Sequence, residues 1–245
     1  MNINVLLTPS ELPHSSENGE SIAIVIDVLR ASTTICVALS SGATSILPAL
    51  TVDEASATYL RLRPTVRFLG GERKGVKQLG FDAGNSPLEY LPENVSGKTI
   101  SFTTSNGTKA LKLAAKANRI YIGSFVNLKA SVEYIASKHN AKNVDFTIVC
   151  AGSDGQFSYE DAACAGGFVK LLCKKFPIAT LSDTSAAAEV LFAKHKNNLV
   201  ALLQNTVHGK RLIELGFSDD IECAADLNSL NIVPYVDGKT IVMAK

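Results

Sequence analysis

Apolar runs of strand length alternate with helical patterns along nearly the whole chain. Ser21–Asp27 (SIAIVID) is β-branched and almost wholly apolar, as a strand covered on both faces must be. Ala31–Ser41 reads as a helix that stops near Gly42, and Thr44–Leu47 as the next strand. Val52–Arg63 is helical up to Pro64, and Val66–Leu69 is again a strand. Gly70–Pro87 then breaks the rhythm: five Gly, both charge signs and little periodicity predict a long loop, and loops of that length in compact domains tend to be functional. The alternation resumes with strands at Thr99–Thr103, Ile120–Ile122 and Val144–Val149, and helices at Gly107–Ala117, Leu128–His139 and Ser158–Cys173. Asp183–Gly216 is mostly helical, and Ile232–Val236 with Thr240–Met243 predict closing strands around the Asp237-Gly238 turn. The fold class this implies is α/β: three layers, α/β/α, around a largely parallel or mixed sheet. One domain or two similar α/β halves both satisfy the pattern.

Composition narrows the function. The chain has 245 residues, 46% hydrophobic and 19% charged, so it carries a large core and is not disordered. Lys plus Arg (24) nearly balance Asp plus Glu (23), and aromatics are 7% with no Trp, which argues against nucleic acid or an anionic membrane as partner. Five Cys without a CxxC pair read as intracellular thiols. Met1–Thr8 has no basic segment ahead of an apolar one, and no apolar run reaches membrane-spanning length, so the expected setting is the cytoplasm.

Three strand ends repeat one device: a buried strand, a short polar segment, then a helix. They are Ile26–Thr34, Phe102–Lys109 and Val149–Gly155, the last followed by Glu160 and Asp161 early in its helix. In α/β sheets ligands bind beyond the carboxyl ends of strands, where helix N-termini offer unpaired N–H groups to anions. Any one of these segments could be an ordinary helix cap; three, with Arg30 in one and Lys109 in another, point to an oxyanion pocket. Carboxylates gather at the same places: Asp27, Glu72, Glu160 and Asp161. A hard cation such as Mg²⁺ takes one or two carboxylates plus waters and phosphate oxygens. Common phosphatase motifs are missing: Gln156 stands where a thiol phosphatase needs Arg after Cys150, Leu29 where a haloacid-type enzyme needs its second Asp, and Val207 precedes His208-Gly209 in place of Arg. There is no GxxxxGK[ST] and no HExxH.

The sequence as a set is recognisable. IDVLRASTTI (26–35), GGERKG (70–75), GFDAGNSPLEY (80–90), TTSNGT (103–108), CAGSDGQFSYEDAACAGG (150–167), His208-Gly209 and IVPYVDG (232–238) resemble the 2-phosphosulfolactate phosphatase (ComB) family, over about residues 4 to 240. The resemblance implies an α/β/α fold unrelated to the common phosphatases, and Mg²⁺-dependent hydrolysis of 2-phospho-3-sulfolactate to 3-sulfolactate and phosphate. A phosphatase for another small 2-phospho acid, and a non-catalytic binder of small anions, remain the alternatives. On this reading Asp27, Arg30, Glu160 and His208 are catalytic candidates, and Asp27, Glu72, Glu160 and Asp161 metal candidates. The substrate, a small anion, would be held by Ser32 and Thr33, by Arg73, Lys74, Asn85 and Ser86, and by Thr104, Ser105, Asn106, Gly107 and Thr108 with Gly152. A homo-oligomer is compatible with all of this.

Overall fold

In the computed structural model, which describes residues 1–8, 19–139 and 144–244, the first half of the chain contains β1 (Asn2–Leu6), β2 (Glu20–Ile26), α1 (Ala31–Ser40), β3 (Ser45–Ala49), α2 (Val52–Arg61), β4 (Arg67–Arg73), β5 (Val76–Lys77), α3 (Pro92–Val95), β6 (Thr99–Thr103) and α4 (Gly107–Ala114). The second half adds β7 (Arg119–Gly123), α5 (Leu128–Lys138), β8 (Val144–Cys150), α6 (Tyr159–Lys175), β9 (Thr180–Leu181), α7 (Asp183–His195), α8 (Leu199–Asn205), α9 (Val207–Glu214), α10 (Ser218–Ala225), β10 (Pro234–Asp237) and β11 (Thr240–Met243).

Side-chain alternation along the central strands sets the layers. On β2, Ile22, Ile24 and Ile26 enter one hydrophobic cluster while Ala23 and Val25 enter another. The first cluster is closed by α5, α6 and α7 through residues such as Val132, Phe168 and Phe192. The second is closed by α1 and α4 through Ile35, Leu39, Ala110 and Ala114. Helices thus cover both faces of an α/β/α sandwich, which accounts for the nearly unbroken apolar run of β2.

The sheet runs β5-β4-β6-β3-β11-β10-β7-β2-β8-β1-β9. It holds two parallel blocks, β4-β6-β3 and β7-β2-β8-β1-β9, joined by the antiparallel hairpin β10–β11. The hairpin meets each block through one residue pair, Tyr235 with Tyr121 and Ile241 with Ile46. The segments following β2, β4, β6 and β8 hydrogen-bond to one another or to a shared carboxylate, so strand ends from both blocks converge on one place.

Three departures from the sequence pattern matter. The expected loop at 70–87 begins as sheet: β4 runs on to Arg73, turns at Lys74 and Gly75, both at positive φ, and returns as β5. β1 pairs in parallel with both β8 and β9, although its five residues carry too short a pattern to stand out. α10 was also not apparent, because its acidic start (Ser218-Asp219-Asp220) hides a short buried face of Ile221, Ala224 and Ala225.

Candidate active site

Each predicted strand end builds its turn from its own polar side chains. After β2, the Asp27 carboxylate accepts from the N–H of Ala31 (3.3 Å). The Ser32 hydroxyl accepts from the Asp27 N–H (3.1 Å) and donates to the Asp27 carbonyl (2.8 Å). Thr33 donates to the Val28 carbonyl and meets Ser124 at 2.7 Å. After β6, the Thr104 hydroxyl accepts from the N–H of Thr108, whose hydroxyl donates back to the Thr104 carbonyl. After β8, Ser158 caps α6 by accepting from the Asp161 N–H. The hydroxyl protons of Ser32, Thr33 and Thr108 are therefore spent on closing turns, and Ser32 and Thr104 each satisfy a backbone amide.

Two carboxylates tie these turns together. Asp161 accepts from the Val28 N–H (2.8 Å) with one oxygen and from the Gly152 N–H (3.1 Å) with the other, locking the β2 and β8 ends. Glu72 accepts from the N–H groups of Ser105 (2.7 Å) and Gly75 (2.5 Å) and from the Ser105 hydroxyl (3.2 Å), fixing the β4 turn to the β6 loop. Gly107 brings α4 against this point. A Cβ there would lie 2.8 Å from Asp27 Oδ2 and 2.7 Å from Ala31 Cβ, so only glycine lets the helix start so close to the carboxylate.

The strand ends enclose a narrow cleft. Of the sequence candidates, Asp27, Arg30, Glu72, Lys74, Asn85, Ser105, Asn106 and His208 line it. Glu160 stands just outside, buried, with an oxygen 3.6 Å from His208 Nδ1. Arg73 does not line the cleft: its guanidinium donates to the carbonyls of Glu72 and Leu50 and to the Thr103 hydroxyl, bracing β4 against its neighbours. Ser86, Gly107 and Gly152 also lie outside it, and Ser86 donates to Asp220 at 2.5 Å. Arg30 lines the cleft, but two of its donors are already engaged, with Asp220 (2.7 Å) and the Gly75 carbonyl (2.9 Å), and it stacks on Phe217, 4.3 Å from the ring centroid. It is a buried strut with one edge toward the cleft.

Sequence reasoning missed Asp220 and Arg211. Asp220 comes from the unanticipated α10 and joins Arg30 to the loop of Ser86. Arg211 lines the cleft and donates to the Lys74 carbonyl at 2.8 Å. Its position three residues after His208 on α9 is the only signal that could have found it.

Burial and like charge dominate the electrostatics. Desolvation pushes Asp27 up to about 6; His208 opposes this, while Glu72 and Glu160 reinforce it. Desolvation, with Asp27 and Glu160 nearby, holds Asp161 well above the ordinary carboxylate range, although two amide hydrogen bonds oppose it. Burial, with Asp161 and Glu160 nearby, pushes the Cys150 thiol far up, which makes it a poor nucleophile. Asn85 Oδ1 is buried in the cleft wall without a hydrogen-bond partner among the described residues.

The four carboxylates do not form a closed metal cage. Among the described residues no three His, Cys, Asp or Glu side chains group tightly enough to hold an ion by themselves. Asp161 is taken up by two amides, and Glu72 largely by three donors. The donor set nevertheless fits Mg²⁺, which binds through one or two carboxylates and retained waters. Asp27 Oδ2 accepts no hydrogen bond from the described residues, and its acidic neighbours leave it under-compensated.

Comparison with known proteins places the chain in a family. The family model described as 2-phosphosulpholactate phosphatase matches residues 6–239. A protein of Caldicellulosiruptor saccharolyticus named "Probable 2-phosphosulfolactate phosphatase" is 46% identical over 83% of this chain and 84% of its own. Proteins with the same name from Symbiobacterium thermophilum (40%, covering 95% and 98%) and Clostridium tetani (38%, covering 97% and 99%) align over almost their full lengths. With the matched span taking in every strand end that builds the cleft, the chain belongs to the 2-phosphosulfolactate phosphatase family.

Proposed function

We propose that this protein hydrolyses 2-phospho-3-sulfolactate to 3-sulfolactate and phosphate, with Mg²⁺ as cofactor. The observation that carries the reading is the pairing, in one cleft, of an under-compensated Asp27 with His208 and with the cations Lys74 and Arg211. The relatives' names supply the substrate.

Lys74 and Arg211 offset the charge of a substrate that carries phosphate, sulfonate and carboxylate. Arg30, fixed by Asp220 and Phe217, offers its remaining N–H groups without having to order itself on binding. Asp27, whose Oδ2 accepts no hydrogen bond from the described residues, accepts the proton of the attacking water. His208, held against Glu160, donates a proton to the leaving oxygen. Mg²⁺ would be held by Asp27, with Glu72 and Glu160 as the neighbouring carboxylates, and would polarise the phosphoryl group as a Lewis acid.

Phosphate release from 2-phospho-3-sulfolactate tests this. Turnover is expected with Mg²⁺ and not in EDTA, and Asp27→Asn is expected to lower kcat by at least about 100-fold. Full turnover in chelator, or an active Asp27→Asn, would remove the metal and the base from the reading. Binding without turnover would make the protein an anion carrier.

A further inference from the structure

Around Gly84-Asn85-Ser86 the polar atoms find partners, with one exception. The Gly84 carbonyl accepts from the Tyr90 hydroxyl (2.6 Å), and the Asn85 carbonyl accepts from the Thr34 hydroxyl on α1 (2.8 Å). The Ser86 hydroxyl donates to Asp220 (2.5 Å). The backbone on either side of Asn85 is thereby fixed, and its side chain is buried in the cleft wall. Yet Asn85 Oδ1 accepts no hydrogen bond from the described residues. Arg30 and Arg211 line the same cleft but donate elsewhere, to Asp220 and the Gly75 carbonyl, and to the Lys74 carbonyl. Leaving a buried acceptor bare is costly, so this oxygen marks a place for a donor that the folded chain does not supply.

The substrate is not that donor. At pH 8 its phosphate, sulfonate and carboxylate are ionised and only accept hydrogen bonds, and its C2 oxygen is esterified. A hydroxyl appears on C2 only after the bond to phosphorus has broken. The donor that the reaction itself brings to the cleft is water, and the free space there, about 40 Å³, exceeds what one water needs. We propose that Asn85 positions the attacking water. The inference rests on the phosphatase reading of the cleft. One O–H of the water points to Asp27 and the other to Asn85 Oδ1, which leaves a lone pair of the oxygen to face phosphorus. Held at both hydrogens, the water has lost most of its rotational freedom before the reaction begins. Phosphoryl transfer depends on such placement, because the protein has little covalent chemistry to perform. In the step, Asp27 takes one proton from the water while the bond between phosphorus and the water oxygen forms. The bond between phosphorus and the C2 oxygen breaks, and that oxygen takes a proton from His208. Asn85 neither gives nor takes a proton.

Steady-state kinetics on 2-phospho-3-sulfolactate at pH 8 with saturating Mg²⁺ test this. Asn85→Leu, close in volume and without an acceptor, is expected to lower kcat by a factor of about 10 to 100 and to leave KM within about twofold. It is expected to melt no lower than the parent, since Oδ1 has no hydrogen bond within the described chain to lose. Asn85→Ala, which is smaller and cannot clash, is expected to move in the same direction. Asn85→Asp restores an oxygen acceptor but adds a negative charge, so it is expected to recover most of kcat while raising KM. Orthovanadate forms a five-coordinate adduct with an oxygen at the position of the water. Its inhibition is expected to weaken by a factor of about 10 in Asn85→Leu, while inhibition by inorganic phosphate stays as in the parent. Parental kcat in Asn85→Leu, or an Asn85→Asp no faster than Asn85→Leu, would overturn the proposal. So would a raised KM at unchanged kcat, because the amide would then hold the substrate through its N–H groups. A shifted Mg²⁺ requirement would make Oδ1 a metal ligand instead, and a lowered melting temperature with both inhibitors weakened alike would make the residue structural; either result overturns the proposal. In all these cases the parent still releases phosphate. A parent that releases none removes the phosphatase reading, and the proposal falls with it.

Discussion

Asp27 shows how a single residue of the candidate site can be costly to the fold. Its ordinary value is 3.8 and burial lifts it to about 6, so the folded protein carries an unfavourable ionised carboxylate at neutral pH. The sign follows directly: above pH 6 the ionised group destabilises the fold by on the order of 3 kcal/mol, and that cost fades as pH falls from 6 toward 3.8. In EDTA, Asp27→Asn is therefore expected to melt several degrees above the parent at pH 8, with the gap closing by about pH 4. A calorimetric melt at several pH values checks this; a gap independent of pH would show that burial does not strain the carboxylate. Under the proposed function, the same exclusion of water that raises Asp27 would strengthen its pull on a cation.

At the scale of elements, two contacts hold the scaffold behind the cleft. Arg30 at the start of α1 and Asp220 on α10 are both nearly inaccessible and 2.7 Å apart, so removing one partner leaves a bare buried charge. Asp220→Asn or Arg30→Met alone is expected to cost about 3–5 kcal/mol in denaturant unfolding, and the double variant Arg30→Met/Asp220→Leu clearly less than the two single losses added together. Additive losses would mean that the two side chains do not act as a pair. The second contact is α6 on α7. A Cβ on Gly166 would lie 1.8 Å from the Ala188 carbonyl oxygen, and that backbone has no rotamer with which to yield. Gly166→Ala is expected to lower stability by about 1–3 kcal/mol or more while leaving KM unchanged in whatever fraction stays folded. A neutral melt would mean that the helices can slide apart.

For the molecule as a whole, the C-terminal hairpin is the join. β10–β11 is the only element between the two parallel blocks of the described sheet, and each side of the join is a single residue pair. Ile241 is fully buried opposite Ile46, among core residues contributed by α1, β6 and the hairpin itself. Ile241→Ala is expected to cost about 2–5 kcal/mol without altering kcat, since the hairpin does not line the cleft. Denaturant titration and steady-state kinetics on the same preparation decide this. Loss of kcat at full stability would place the hairpin in the site.

The sequence by itself determined the alternation of strand and helix, the two-faced burial of β2, and the polar turns after β2, β6 and β8 that border the cleft. Asp27, Lys74, Asn85, Ser105, Asn106 and His208 were also legible and do meet at the cleft. These features are local: periodicity and capping are fixed within a turn or two of chain. Tertiary structure decided the rest. Whether Ser32 or Thr108 grips a ligand or closes a turn depends on which amide lies nearest once the strand ends converge. Arg30 meets Asp220 across 190 residues of sequence, and Glu72 meets the Ser105 loop across 33. No local pattern encodes such partners, because a buried charge is matched by whatever the packed elements bring beside it.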